Sequence, residues 1–390
     1  MPVQTPIPLA AAATRIDSSA IRDLLRVIER ADVISLAGGL PAAETFPAAE
    51  LATAFAEILA DDAGALQYST TEGFTPLREW VAARHGAGVD QVLVTHGSQQ
   101  ALDVVARALV EPGAQVVLAD PGYVGAIQVL RLAGARLRPV PSDADGLRVD
   151  VLADRLRGGD RPALVYVVAN FDNPTGATLS LDRRRALGAL ADHYGFVVVE
   201  DDPYGELRWA GATLPPLAHF TDRAITLGTV SKIVCPGLRV GYAIAPDAVA
   251  RALVLVKQAL DLHTSTLAQR AVHRVLTAPG FLDTQLGRLR PLYASRAATL
   301  CRVLRRELGD RFRCAEPEGG MFVWGELSDD VDTHELLRTA IVHGVAFVPG
   351  RAFGVEAEHR RALRLSFVTS PPDQLEEGVR RLAAALDACR

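Results

Sequence analysis

The sequence predicts an α/β fold built on a mostly parallel sheet covered by helices. Two observations carry this. Short apolar runs of strand length alternate with longer segments of helical period, and each apolar run ends in a polar segment. Length supplies a third: 390 residues with 49% hydrophobic content can bury a large core and allow two or three compact units.

In chain order, "VLVT" (92–95) leads into "HGSQQALDVVARALV", and "VVLA" (116–119) leads into "DPGY". Next come "LVYVVA" (164–169) before "NFDNPTG", "FVVVE" (196–200) before "DDPY", and "AITLGT" (224–229) before "VSK". Ligands of open α/β sheets bind beyond the carboxyl ends of the strands, so these five polar segments are expected to meet at one site.

Lysine is the sharpest compositional signal. Of 41 Lys and Arg residues only Lys232 and Lys257 are lysine, and Lys232 stands in "TVSKIVCPGLRVGY" (229–242), at one of those strand ends. Arginine stays protonated, whereas a lysine of lowered pKa can attack a carbonyl and form a Schiff base. Lys232 is therefore a candidate for amine chemistry. Lys257, inside the helix-like run "RALVLVKQALDL", reads as an ordinary surface lysine.

Taken singly, the other segments have bland readings. Gly97, Ser98 and Gln99 open a helix whose N–H groups and dipole suit a phosphate, but a simple N-cap turn looks the same. "DNPTG" is a turn signal, Asp201 and Asp202 suit a solvated loop, and Tyr123 and Tyr204 suit a core. Together they offer an amine, a phosphate seat, an acid, phenols and an amide, the set that a phosphorylated aromatic aldehyde uses.

A net charge of -5 and a pI near 6.0 give no basic field for nucleic acid. Four cysteines without CxxC or metal-like spacing suit a reducing compartment, and no metal is expected. The start lacks a leader pattern, and no run approaches ~18 apolar residues. The sequence-based expectation is a cytoplasmic protein away from membranes.

In order along the chain, "LAGGLPAAETFP" (36–47), "QYSTTEGFTPLRE" (67–79), "NPTG" (173–176), "DDPY" (201–204), "SKIVCPGLRVGY" and "LRLSF" (363–367) resemble the fold type I aminotransferases dependent on pyridoxal 5′-phosphate (PLP). The S-K-x-x-x-P-G-x-R-x-G pattern is the most specific piece. Within that family the chain is most similar to the branch of 2-aminoadipate and broad-range aromatic or branched-chain enzymes and MocR effector domains. "EPEGGMFVW" (316–324) and "VPGRAFG" (348–354) also resemble family segments of the smaller domain.

The resemblance implies a large PLP domain over 46–274 and a smaller α+β domain from 1–45 plus 275–390. It implies that Lys232 holds PLP, that Asp201 pairs with the pyridine nitrogen, and that Tyr204 and Asn173 bond the ring oxygen while Tyr123 stacks on the ring. Gly97, Ser98, Gln99, Ser231 and Arg239 would take the phosphate, joined by Tyr68 of a neighbouring subunit in a homodimer. Arg364 would bind the substrate carboxylate, with Gly38 and Gly39 approaching from the other side. Asp172 stands where relatives often carry a neutral side chain.

"DSSAIRDLLRVIERA" (17–31) reads as a helix capped by Ser18 or Ser19, and the resemblance lets Arg22 meet the distal carboxylate of an acidic substrate. The implied reaction is ping-pong transamination between an amino acid and a 2-oxo acid such as 2-oxoglutarate. A lyase, desaturase or oxidase on the same fold is the rival outcome. A MocR-like sensor is the rival class, and residues 1–45 are too few for its DNA-binding module together with the small-domain arm.

Overall fold

The computed structural model describes residues 7, 9–15 and 32–389. The helix expected over 17–31, with Ser18, Ser19 and Arg22, lies outside the described residues.

Strand β1 (Ile34–Ser35) precedes eight strands that form one sheet. These are β2 (Val92–Thr95), β3 (Gln115–Asp120), β4 (Arg136–Asp143), β5 (Gly146–Leu147), β6 (Leu164–Val168), β7 (Val197–Asp201), β8 (Ala224–Thr229) and β9 (Gly241–Ile244). Their order is β2-β9-β8-β7-β6-β3-β4-β5. Neighbours from β4 through β3, β6 and β7 to β8 are parallel, while β9 runs antiparallel to both β8 and β2. The connection from β8 to β9 contains no helix crossover, so only an antiparallel return is open to it.

Both faces of the sheet are covered, which is why its strands read as continuous apolar runs. Val116 and Leu118 of β3 pack with the helices Ser98–Leu109, Val124–Leu132 and Asp247–Asp261. Val117, one residue out of phase, packs on the other face with the helices Val149–Arg157 and Leu181–Tyr194.

The helix Asp247–Asp261 corrects one expectation. Lys257 is fully buried, not on the surface. It shares a face with Ala250 and Leu253, the three-and-four spacing that puts side chains on one side of a helix. Asp261, one turn on, accepts a hydrogen bond from its Nζ at 2.7 Å and offsets the buried charge.

After the long helix Phe281–Leu308 come β10 (Phe312–Cys314), β11 (Phe322–Leu327), β12 (Val345–Ala346), β13 (Val348–Pro349) and β14 (Ala362–Ser366). Four of them form an antiparallel sheet ordered β10-β11-β14-β13. The remaining strand, β12, pairs in parallel with β1 and so ties the N-terminal segment to the C-terminal third. Leu300 and Leu304 of the long helix and Leu382 and Leu386 of the last helix (Pro372–Ala388) share a core with this sheet.

Candidate active site

A cavity of about 400 Å³ lies at the carboxyl ends of β2, β6, β7 and β8. Phe322 of β11, Arg364 of β14 and Gly39 from the N-terminal segment close its other side. Gly97, Ser98, Gln99, Tyr123, Asn173, Asp201, Tyr204, Ser231, Lys232 and Arg239 complete the sequence-predicted residues that line it.

Lys232 is the third residue after the end of β8. Its Nζ donates to the Gly39 carbonyl at 3.2 Å. Burial, then the positive charges of Arg239 and Arg364, lower its pKa to about 8, so a sizeable neutral fraction exists near pH 7 to 8. Asp201 ends β7 and is buried, not in a solvated loop. Its Oδ2 accepts from the Tyr166 hydroxyl at 2.8 Å, while its Oδ1 is buried without a partner. Burial raises its pKa to about 7, against the pull of the Tyr166 bond and with help from Asp202 and Asp172.

The end of the cavity near β2 is shaped for an anion. Gly97 precedes the helix Ser98–Leu109 with φ +82°, a backbone that disfavours any side chain, and no side chain caps the helix. A Cβ there would lie 2.8 Å from the Arg239 guanidinium. Arg239 reaches this point from a left-handed backbone after the turn Pro236–Leu238, and it donates to the His96 carbonyl at 3.0 Å. Ser231 accepts from the Thr229 hydroxyl at 2.9 Å. Tyr123 donates to Gln99 Oε1 at 3.1 Å, and Gln99 donates to the Gly125 carbonyl at 3.0 Å. A Cβ on Gly125 would come within 2.6 Å of both side chains. Burial foremost pushes the Tyr123 phenol up to about 12 and the Tyr204 phenol higher, so both stay protonated.

At the opposite end, Arg364 is buried between the rings of Phe322 (4.1 Å) and Phe353 (5.0 Å). It donates to Asn173 Oδ1 at 2.7 Å and to the Ala37 carbonyl at 2.6 Å, while its Nε lacks a partner. Burial lowers its pKa to about 10, which leaves the guanidinium charged at neutral pH. At Gly39 a Cβ would crowd Phe322 at 3.2 Å, whereas Gly38 faces open space and carries no steric requirement.

Other predicted residues fall outside this cavity. Tyr68 is 78% exposed and packs edge-on against His263. Asp172 lies behind Asn173, accepts from the Thr175 hydroxyl at 2.8 Å, and is raised by burial to about 6. Sequence reasoning missed Tyr166, Thr229, Gly125 and Phe322. Tyr166 lies inside an apolar strand run, and only the pairing of β6 with β7 brings its hydroxyl to Asp201. Among the described residues no cluster of three or more His, Cys, Asp or Glu is placed to hold a metal ion, and no helix is long and apolar enough to cross a membrane.

These features fit PLP. The unpartnered Asp201 Oδ1 suits a protonated ring nitrogen, the uncapped helix start beside Arg239 suits a phosphate, and the buried lysine of lowered pKa suits an aldehyde.

Comparison with known proteins agrees. The family model "Aminotransferase class I and II" matches residues 31–382. The chain is 43% identical over 380 residues to a 2-aminoadipate transaminase of Thermus thermophilus, covering 96% of this chain and 95% of that one. It is 39% identical over 382 residues to an aromatic-amino-acid aminotransferase of Thermococcus litoralis, covering 95% and 91%. The solved α-aminoadipate aminotransferase of Thermus thermophilus, complexed with N-(5′-phosphopyridoxyl)-L-leucine, superposes with a TM-score of 0.91 at 42% identity over 97% of each chain. The chain belongs to the class I and II aminotransferases, PLP-dependent enzymes of fold type I.

Proposed function

We propose that the protein transfers the amino group of an acidic or a large apolar L-amino acid to 2-oxoglutarate by a ping-pong mechanism. The observation that carries this reading is the grouping of Lys232, Asp201 and Arg364 around one cavity of about 400 Å³. The relatives that act on 2-aminoadipate and aromatic amino acids support the substrate range.

PLP, when bound, supplies a ring that draws negative charge away from the substrate Cα. Asp201 would hold a proton at the ring nitrogen through its free Oδ1, with Tyr166 fixing its other oxygen. Lys232 would hold the cofactor through its amine and, with that amine free, would take the substrate Cα proton as base and hand it on as acid. Its lowered pKa suits both duties. Arg364 receives the α-carboxylate in its planar fork, exchanging its bond to the Ala37 carbonyl for the substrate. Asn173 and Tyr204 would bond the ring oxygen and Tyr123 would stack on the ring, while Gly97, Ser98, Gln99, Ser231 and Arg239 would seat the phosphate.

The active unit is a homodimer in the cytoplasm. Tyr68, Leu66 and Leu262 form exposed apolar surface at 78%, 69% and 48%, and Tyr68 serves the partner's phosphate site. Residues 46–274 form the PLP domain, and 1–45 with 275–390 form the smaller one, a division supported by the separation of the eight-stranded sheet from the four-stranded one. Arg22 binds the distal carboxylate of acidic substrates. Arg22→Ala should then raise KM for 2-oxoglutarate and glutamate far more than for leucine, and equal effects on both would reject that role.

The deciding experiment mixes the holoenzyme with single amino acids and follows loss of the absorption band of the lysine-bound cofactor, then its return with 2-oxoglutarate. Oxygen consumption or loss of carbon dioxide in place of a recoverable cycle would refute transamination.

A further inference from the structure

Behind the phosphate end of the cavity lies a polar cluster that none of the roles above uses. Lys257 Nζ donates to Asp261 Oδ1 at 2.7 Å and to Gln100 Oε1 at 3.4 Å. Asp261 Oδ2 accepts from Gln100 Nε2 at 2.6 Å and meets His96 Nδ1 at 2.8 Å. Gln100 Oε1 also accepts from the His96 backbone N–H at 2.8 Å. The residues on either side of Gly97, Ser98 and Gln99 are thus both tied to the last turn of the helix Asp247–Asp261. The His96 carbonyl in turn accepts from Arg239 at 3.0 Å.

Two features mark this cluster as more than filler. A fully buried ammonium is costly unless paired, and here both partners of the pair also bond the residues that flank the helix start, Lys257 to Gln100 and Asp261 to Gln100 and His96. Immediately after Asp261, Leu262 adopts φ +67° and ψ −64°, the strained hand of the γ-turn, closed by His263 N–H donating to the Asp261 carbonyl at 2.8 Å. A leucine stays in such a backbone only where its surroundings over-determine it, and such strain gathers at functional sites.

We propose that the Lys257–Asp261 pair is a positioning element of the phosphate seat. It fixes His96 and Gln100 so that the N–H groups of the helix start and the Arg239 guanidinium converge on one phosphate position. The need is physical: Gly97, at φ +82°, is the most permissive residue of the loop, and without a tether on each side the seat would sample several geometries. The inference rests on the reading of Gly97, Ser98, Gln99, Ser231 and Arg239 as that seat.

The test uses the holoenzyme and two readouts, the phosphorus-31 resonance of the bound cofactor and the rate of PLP loss into buffer with excess inorganic phosphate. Asp261→Asn and Lys257→Met should each shift or broaden the resonance and speed loss by about tenfold or more, as removal of an outer support of a ligand site does. The visible absorption maximum, which reports on the ring and Lys232, should stay in place. His96→Gln, at a half-exposed residue, is the substitute if the buried variants fail to fold. Ser98→Ala and Arg239→Gln are the controls. If the controls move both readouts and the Asp261, Lys257 and His96 variants move neither, the positioning role is overturned while the seat stands. If the controls also change nothing, the seat reading itself fails and takes this inference with it.

Discussion

Replacing Asp172 by asparagine should make the protein more stable, and increasingly so as pH rises. The carboxyl is buried, and burial lifts its pKa from 3.8 to about 6, although the Thr175 hydroxyl and the backbone N–H groups of Thr175 and Asn173 pull it down. In the unfolded chain it ionises near its ordinary value. Below that value it is neutral in both states and costs nothing. Between the two values the unfolded state alone gains by ionising, and above the folded pKa the penalty is constant. About two units of displacement correspond to about 3 kcal/mol of lost stability at pH 8.

Asparagine cannot ionise, so it removes the pH-dependent part and leaves a constant offset for any amide hydrogen without a partner. Asp172 also pushes Asp201 upward, and easing that repulsion acts in the same direction. The assay is urea unfolding of both proteins between about pH 5 and pH 8, followed by far-UV circular dichroism. The stability difference should move in favour of the variant by about 1 to 1.5 kcal/mol over that range and level off above about pH 7. A difference that is flat with pH, or that moves towards the wild type, would refute the argument that the carboxylate is ionised at a cost.

Borohydride reduction of the holoenzyme followed by peptide mapping should place the cofactor on Lys232, and Lys232→Arg should fold without the bound chromophore; label on Lys257 would overturn the site. Tyr166→Phe removes the hydroxyl that donates to Asp201, a bond to a charged group worth roughly 1.5–3 kcal/mol. The kcat should fall about tenfold with little change in KM, and a change in KM alone would reject the role of Tyr166. Mixing Tyr68→Ala and Lys232→Ala chains should restore activity, because in a hybrid dimer both lesions fall in one pocket and leave the other intact. No recovery despite demonstrated subunit exchange would confine Tyr68 to its own chain.

What could be read from the sequence follows from where the information resides. Lys232, Asp201, Asn173 and Gly97 stand at ends of apolar runs, where the strand pattern fixes position and the residue type fixes chemistry. The cavity at those strand ends therefore needed no tertiary knowledge beyond the rule for parallel sheets. Tyr166 failed that rule because it lies inside a run. Its role depends on the register that sets β6 beside β7, with Val168 opposite Asp201, and register is a property of two strands. Tyr68 is harder still, since its proposed partner belongs to a second chain.

Lys257 failed for a different reason. Its run shows an apolar face at Ala250 and Leu253, and Lys257 lies on that same face one turn from Asp261, where the general rule that lysines are solvated does not hold. The periodicity argued the opposite. A charged residue in phase with an apolar stripe is expected to be buried, and an opposite charge four residues on supplies the partner it then needs. In a chain with only two lysines, the second deserved the same question as the first: which neighbours require an ammonium there? The answer is a carboxylate that holds the loop behind Gly97. Both lysines then serve one cavity, Lys232 within it and Lys257 from behind its wall.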